Sequence, residues 1–212
     1  TIQTTHIVPI DLNCLLYKLE MLLSQFYSQL GEEKLSTEFA EHAKIRSDAI
    51  NEYLWNKESG FYYDFDFIQG QQTSTQSLAA CLPLFVQIAS KQQAELIAHK
   101  LENAFLMEGG LVTTLNNSAQ QWDAPNGWAP LQWFAVIGLD NYGLNQLSEQ
   151  VMKRFLATVE HQFKKDNNIM EKYNVQSSQS IAKGGEYEVQ HGFGWTNGVA
   201  LAFYKLLEAR NS

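Results

Sequence analysis

Residues 11–31, DLNCLLYKLEMLLSQFYSQLG, decide the architecture. Leu12, Leu15, Leu16, Leu19, Leu22, Leu23, Phe26 and Leu30 fall with helical spacing, which predicts a long amphipathic helix with Asp11 as its N-cap and Gly31 as its stop. Residues 36–54 repeat the pattern through Phe39, Ala43, Ile50, Tyr53 and Leu54, and end in the polar turn 56–60. The two segments read as an αα-hairpin. Residues 61–67, FYYDFDF, alternate aromatic and acidic side chains and suggest an ordered loop or a small ribbon. Helical patterns return at 78–88, with Pro83 near the first turn, and after Ser90, a second N-cap, until Gly109-Gly110 interrupts; 111–115 has the look of a short strand. Helices are then expected at 130–139, 147–163 and 199–207, separated by a Trp-rich loop at 121–128 and a long polar loop at 166–194. The joints GWAPL at 127–131 and GWTNG at 194–198 echo each other. The expectation is an all-α array of stacked antiparallel helix pairs, with long functional loops at one end and no internal boundary across 1–212.

Composition narrows the chemistry. The 212 residues suit one domain or part of a larger one, and a start at Thr rather than Met suggests a piece whose beginning lies elsewhere. A hydrophobic fraction of 45% is enough for a packed core. Fifteen basic against twenty-three acidic side chains leave a net charge of −8, which repels phosphate backbones and anionic lipid, so no nucleic-acid partner is expected. No apolar run approaches the roughly 20 residues that cross a bilayer, so no membrane partner is expected either. The chain reads as soluble, in either periplasm or cytoplasm. Cys14 and Cys81 sit within apolar helical patterns and read as buried free thiols. His6, His42, His99, His161 and His191 lack HExxH or HxH spacing, so no metal is expected. There is no Walker A loop and no GxSxG elbow, and the run Gly192 to Gly198 is one residue too long for GxGxxG. No cofactor is implied.

What remains is a group of carboxylates in loops rich in aromatic rings. Asp123 lies between Trp122 and Trp128, and Glu171, Glu186 and Glu188 punctuate the loop that ends at Trp195. Aromatic planes pack against the C–H faces of pyranoses, and carboxylates and amides hold their hydroxyls, so this combination suits a sugar. The same acids could equally cap helices and anchor loops. Asp64 and Asp66, in the alternating run, read as solvent-facing.

The residues then become specific. Residues 121–130, QWDAPNGWAP, resemble the second signature of the glycoside hydrolase family 37 trehalases at every fixed position. Glu171-Lys172-Tyr173-Asn174, Gly184-Gly185-Glu186-Tyr187 and the run 192–198 resemble that family's C-terminal stretch, although the glycine-rich run at 182–185 is shorter. Residues 7–13, 54–56 and 62–64 resemble further family segments. The resemblance implies a partial (α/α)6 toroid and hydrolysis of α,α-trehalose to two glucoses with inversion. It implies Glu171 as the general base, and Glu186, Trp122, Asp123 and Trp128 as substrate-binding residues. The family's general acid lies in a run that this sequence does not contain, so the resemblance also implies an N-terminal part of the same enzyme as partner. Glu58-Ser59-Gly60-Phe61 only imitates that run, because it aligns with another segment. Two other readings stay open: a catalytically silent carbohydrate-binding helical module, and a different (α/α)6 glycosidase.

Overall fold

A computed structural model describes residues 4–177, 182 and 188–211, and these form seven α-helices and nine strands of two or three residues. The helices are α1 (Ile10–Gln29), α2 (Glu33–Ala49), α3 (Leu82–Phe85), α4 (Lys91–Lys100), α5 (Ala129–Asn141), α6 (Asn145–Asp166) and α7 (Gly194–Asn211). The strands are β1 (Ile7–Val8), β2 (Trp55–Asn56), β3 (Phe61–Tyr62), β4 (Phe65–Asp66), β5 (Gln71–Gln72), β6 (Leu106–Met107), β7 (Gly110–Leu111), β8 (Asn126–Trp128) and β9 (Lys172–Asn174). Among the described residues no helix is long and apolar enough to cross a membrane.

The start of α1 departs from the sequence expectation. Pro9, not Asp11, holds the N-cap position, and its side chain cannot accept a hydrogen bond. Asp64 supplies the cap instead: its Oδ1 accepts from the backbone N–H of Ile10 at 2.9 Å. The antiparallel pairing of β1 with β4, Ile7 opposite Asp66 and Val8 opposite Phe65, brings this distant carboxylate to the helix end. Asp66 is buried, and its Oδ1 accepts from the N–H groups of Ile68 and Gln69, both at 2.9 Å, to shape the turn into β5. Both acids expected in solvent therefore hold backbone in place.

Two helices end alike. α2 runs through a π turn (Ile50–Leu54) into the β2–β3 hairpin, and α4 runs through a π turn (Leu101–Phe105) into the β6–β7 hairpin. Ser90 caps α4 as expected, with a reciprocal bond between Gln93 Oε1 and its own N–H. The expected helix at 78–88 is a 3₁₀ turn (Leu78–Cys81) followed by the short α3, and the strand expected at 111–115 shrinks to β7.

α5 is the hub, packed against α3, α6 and α7. Its sequence is apolar almost all round, as a buried helix should be. A Cβ on Gly138 would lie 3.0 Å from Leu84 Cβ and 3.2 Å from Cys81 O, so glycine permits the close approach of α5 to α3. Buried Gln132 donates to Leu111 O at 2.8 Å and accepts from Leu111 N at 2.9 Å, satisfying backbone that a two-stranded hairpin leaves open. One continuous core extends from Ile10 to Phe203. Cys14 and Cys81 are free and buried within it, and burial pushes the Cys81 thiol up to about 12.

α1 contributes little to that core. Only Ile10 and Cys14 of its residues are buried, while Leu12, Leu15, Leu19 and Phe26 remain 43–54% exposed. Its main attachment is to α2. Arg46 grips Glu20 with two bonds, at 2.9 and 2.7 Å, and donates to Asn13 Oδ1 at 2.9 Å.

Candidate active site

Three segments far apart in sequence meet at one ladder. β8 pairs antiparallel with β9, with Asn126 opposite Asn174, Gly127 opposite Tyr173 and Trp128 opposite Lys172. A Cβ on Gly127 would stand 2.6 Å from Val175 Cγ1 and 2.8 Å from Leu111 O, so glycine is what lets β8 lie between these neighbours. The ladder sets the Trp-rich loop directly against the Glu171 segment. The third segment arrives from the far end of the long loop. Glu171 N–H donates to Gln190 O at 3.0 Å, Trp195 Nε1 donates to Glu171 O at 3.1 Å, and Thr196 Oγ1 donates to Met170 O at 2.8 Å.

These last bonds explain a further departure from the sequence expectation. Helix α7 begins at Gly194, not at 199, because the Trp195 and Thr196 side chains fix the first turn onto the 170–171 backbone despite the weak helix propensity of Trp-Thr-Asn-Gly. The residues that fasten the end of the long loop are thus also the first turn of the helix.

Aromatic rings enclose the junction. Trp122 stacks on Trp128 with centroids 3.8 Å apart and planes 5° from parallel. Trp195 meets Trp128 edge to face at 5.6 Å, and Phe193 leans on Trp195 at 4.8 Å. Trp128 is buried, and its Nε1 donates to Gln121 O at 2.9 Å. Trp122 and Trp195 are exposed, so they offer ring surface to solvent while Trp128 backs them. Asp123 is half-buried; its Oδ1 accepts from Thr114 Oγ1 at 2.6 Å and its Oδ2 accepts from Ser118 Oγ. It ties the Trp122 loop to Thr114, which forms a β-bridge with Ser77, and each of its oxygens keeps acceptor capacity for a further donor.

Glu171 is 4% exposed, at the meeting point of all three segments. Beside it stands a lysine to which the sequence reading gave no role. Lys172 is buried too, with Nζ 3.9 Å from Glu171 Oε2 and donating to Gln121 Oε1 at 3.0 Å. The same Nζ lies 5.3 Å from the Trp128 ring centroid. Burial draws the Lys172 pKa below its ordinary value, and the neighbouring Glu171 opposes that shift. The only sequence signal for Lys172 was its place inside the Glu-Lys-Tyr stretch.

Glu186 lies outside the described residues, and Glu188 is exposed. The imitation run 58–61 closes the β2–β3 turn, with Gly60 at φ +63°, and enters β3 at Phe61. Among the described residues no three His, Cys, Asp or Glu side chains converge to hold a metal ion.

Comparison with known proteins gives the family. The sequence model of the family described as Trehalase matches residues 1–208. The periplasmic trehalase of Salmonella agona is 44% identical over 207 residues, which cover 98% of this chain and 36% of that protein. That of Citrobacter koseri is 43% identical over the same shares. Among solved structures, the neutral trehalase of Saccharomyces cerevisiae superposes with a TM-score of 0.79 at 30% identity, covering 94% of this chain and 38% of that one. A GH63 mannosylglycerate hydrolase from Thermus thermophilus shares the fold alone, with a TM-score of 0.74 at 21% identity, covering 94% and 45%. The helix pairs are those of the trehalase and GH63 (α/α)6 class. The chain spans about a third of the length of the trehalases it matches, and with its family signature, relatives and fold in agreement it belongs to the trehalase family.

Proposed function

We propose that this chain is the C-terminal part of a single trehalase catalytic domain, supplying the general base and part of the sugar pocket for inverting hydrolysis of α,α-trehalose. The observation that carries the reading is the β8–β9 ladder, which sets Glu171 against the Trp122–Trp128 stack at the point where α7 begins. Inversion needs a carboxylate that activates water on one face of the sugar and a carboxylic acid about 6.5–9.5 Å away that protonates the leaving oxygen. Glu171 takes the first role. The acid comes from an upstream part of the enzyme, and Asp64 does not substitute for it because its carboxylate caps α1.

Trp122 and Trp195 offer ring faces to a glucose unit, Trp128 backs them, and Asp123 accepts from a sugar hydroxyl while bracing its loop. Glu186, outside the described residues, is assigned to sugar hydroxyls through the family resemblance. The upstream part covers the apolar stripe of α1, which this chain leaves in water. Its relatives are named periplasmic, and the compartment proposed for the whole enzyme is the same.

Product stereochemistry tests the reaction type. Inversion at one anomeric carbon of α,α-trehalose releases one β-glucose and one α-glucose, whereas retention releases two α-glucoses. Early proton NMR spectra of the full-length enzyme's reaction, recorded before mutarotation, should show both anomers in equal amounts. An α-only product would overturn the inverting mechanism.

A further inference from the structure

The geometry points to Lys172 as a positioning residue that aims the Glu171 carboxylate and sets a fixed positive charge beside it, an inference that rests on Glu171 being the general base. Lys172 cannot act by touching sugar, because its side chain is 0% exposed. What it touches is the apparatus around the base. Its ammonium stands 3.9 Å from Glu171 Oε2, donates to Gln121 Oε1 at 3.0 Å and lies against the Trp128 ring. A carboxylate, an amide oxygen and an indole face all favour the charged amine over the neutral one. The β8–β9 register, which sets Trp128 opposite Lys172, fixes that charge beside Glu171 rather than leaving it on a mobile stem.

A fixed positive charge at this distance stabilises the ionised carboxylate, which a general base must be before it can accept a proton from water. Among the described residues few other groups compete for that role. β8 and the first turn of α7 bring no titratable side chain. The segment at 188–193 brings Glu188 and His191, both exposed. On the same strand, the Tyr173 hydroxyl accepts from Met170 N–H at 2.9 Å, and burial raises its pKa and so keeps it protonated. Asp123 is engaged by Thr114 and Ser118. Among these groups Lys172 is the buried cation.

The test uses the full-length enzyme carrying Lys172→Met, which keeps length and removes charge. The acidic limb of kcat/KM for trehalose should move up by about one pH unit or more, with kcat falling and KM changing little. Lys172→Arg should return the limb towards its original position. In a Glu171→Gln background, Lys172→Met should cost no further activity, because Lys172 acts only through that carboxylate. A limb that stays in place, or a loss that adds to that of Glu171→Gln, would reduce Lys172 to a cross-link between loops and overturn the proposal. Should Lys172→Met not fold, Lys172→Gln, which retains a donor for Gln121, must show the same shift; if neither neutral variant folds, the residue is structural and the proposal fails. Near wild-type turnover in Glu171→Gln alone would instead refute the assignment of the base, an outcome separate from any result at Lys172.

Discussion

Asp64 shows how one carboxylate can resemble a catalytic acid and serve another end. It follows a run that imitates the family's acid motif, and burial raises its pKa against the opposing hydrogen bond from Ile10, with Asp11 adding to the rise. A raised carboxylate pKa means that ionisation costs more in the folded than in the unfolded chain. Its contribution to stability is therefore present at low pH and is lost as pH rises from the ordinary carboxylate value through the raised folded one. Asp64→Asn keeps an acceptor for Ile10 without the charge. It should be at least as stable as the parent near neutral pH, converge with it in acid, and leave trehalose turnover of the full-length enzyme intact. Unfolding at several pH values checks the first two outcomes, and loss of turnover would return Asp64 to the list of acids. Such distinctions were only partly legible in sequence. Glu171 and the tryptophans were marked by the family signature, but Lys172 was not, because lysine beside glutamate ordinarily means solvent and only the ladder reveals that both are buried.

At the scale of elements, periodicity gave the long helices well, because α1, α2 and α6 each place apolar residues at helical spacing. Joints were less legible. The cap of α1 comes from a residue 54 positions away, and the start of α7 depends on bonds to 170–171, which no local pattern encodes. The faint echo at Gly-Trp joints has a counterpart that sequence did not suggest, the repeated succession of helix, π turn and two-stranded hairpin after α2 and α4. The α7 joint yields a prediction. Thr196 is fully buried and donates to Met170 O, so Thr196→Val leaves that carbonyl without its donor at nearly constant volume. A loss of about 1–2 kcal/mol is expected in urea unfolding, together with reduced turnover, since the same turn holds the backbone of Glu171. An unchanged midpoint would mean that the helix start is fixed by other contacts.

The whole molecule has a continuous core on one side and an open apolar stripe on the other. Leu12, Leu15, Leu19 and Phe26 repeat along α1, and a groove of about 590 Å³ lined by Ile45, Tyr53 and Phe67 runs beside the Arg46–Glu20 pair. A surface of this kind in water favours association. The isolated 212-residue chain should therefore self-associate in sedimentation experiments and hydrolyse no trehalose, because on the proposed reading the general acid, a group that contributes about 10²–10⁴-fold, lies upstream. Glucose release by the purified chain would mean that the acid lies within it.

The proposed base is the most direct point of attack. Glu171→Gln in the full-length enzyme keeps the size and hydrogen bonding of the side chain and removes its capacity to accept a proton. Steady-state kinetics on trehalose should show kcat reduced by about 10²–10⁴-fold, with KM little changed and the unfolding midpoint preserved. Turnover near that of the parent enzyme would contradict the assignment of Glu171 and, with it, the placement of the catalytic centre at the β8–β9 ladder.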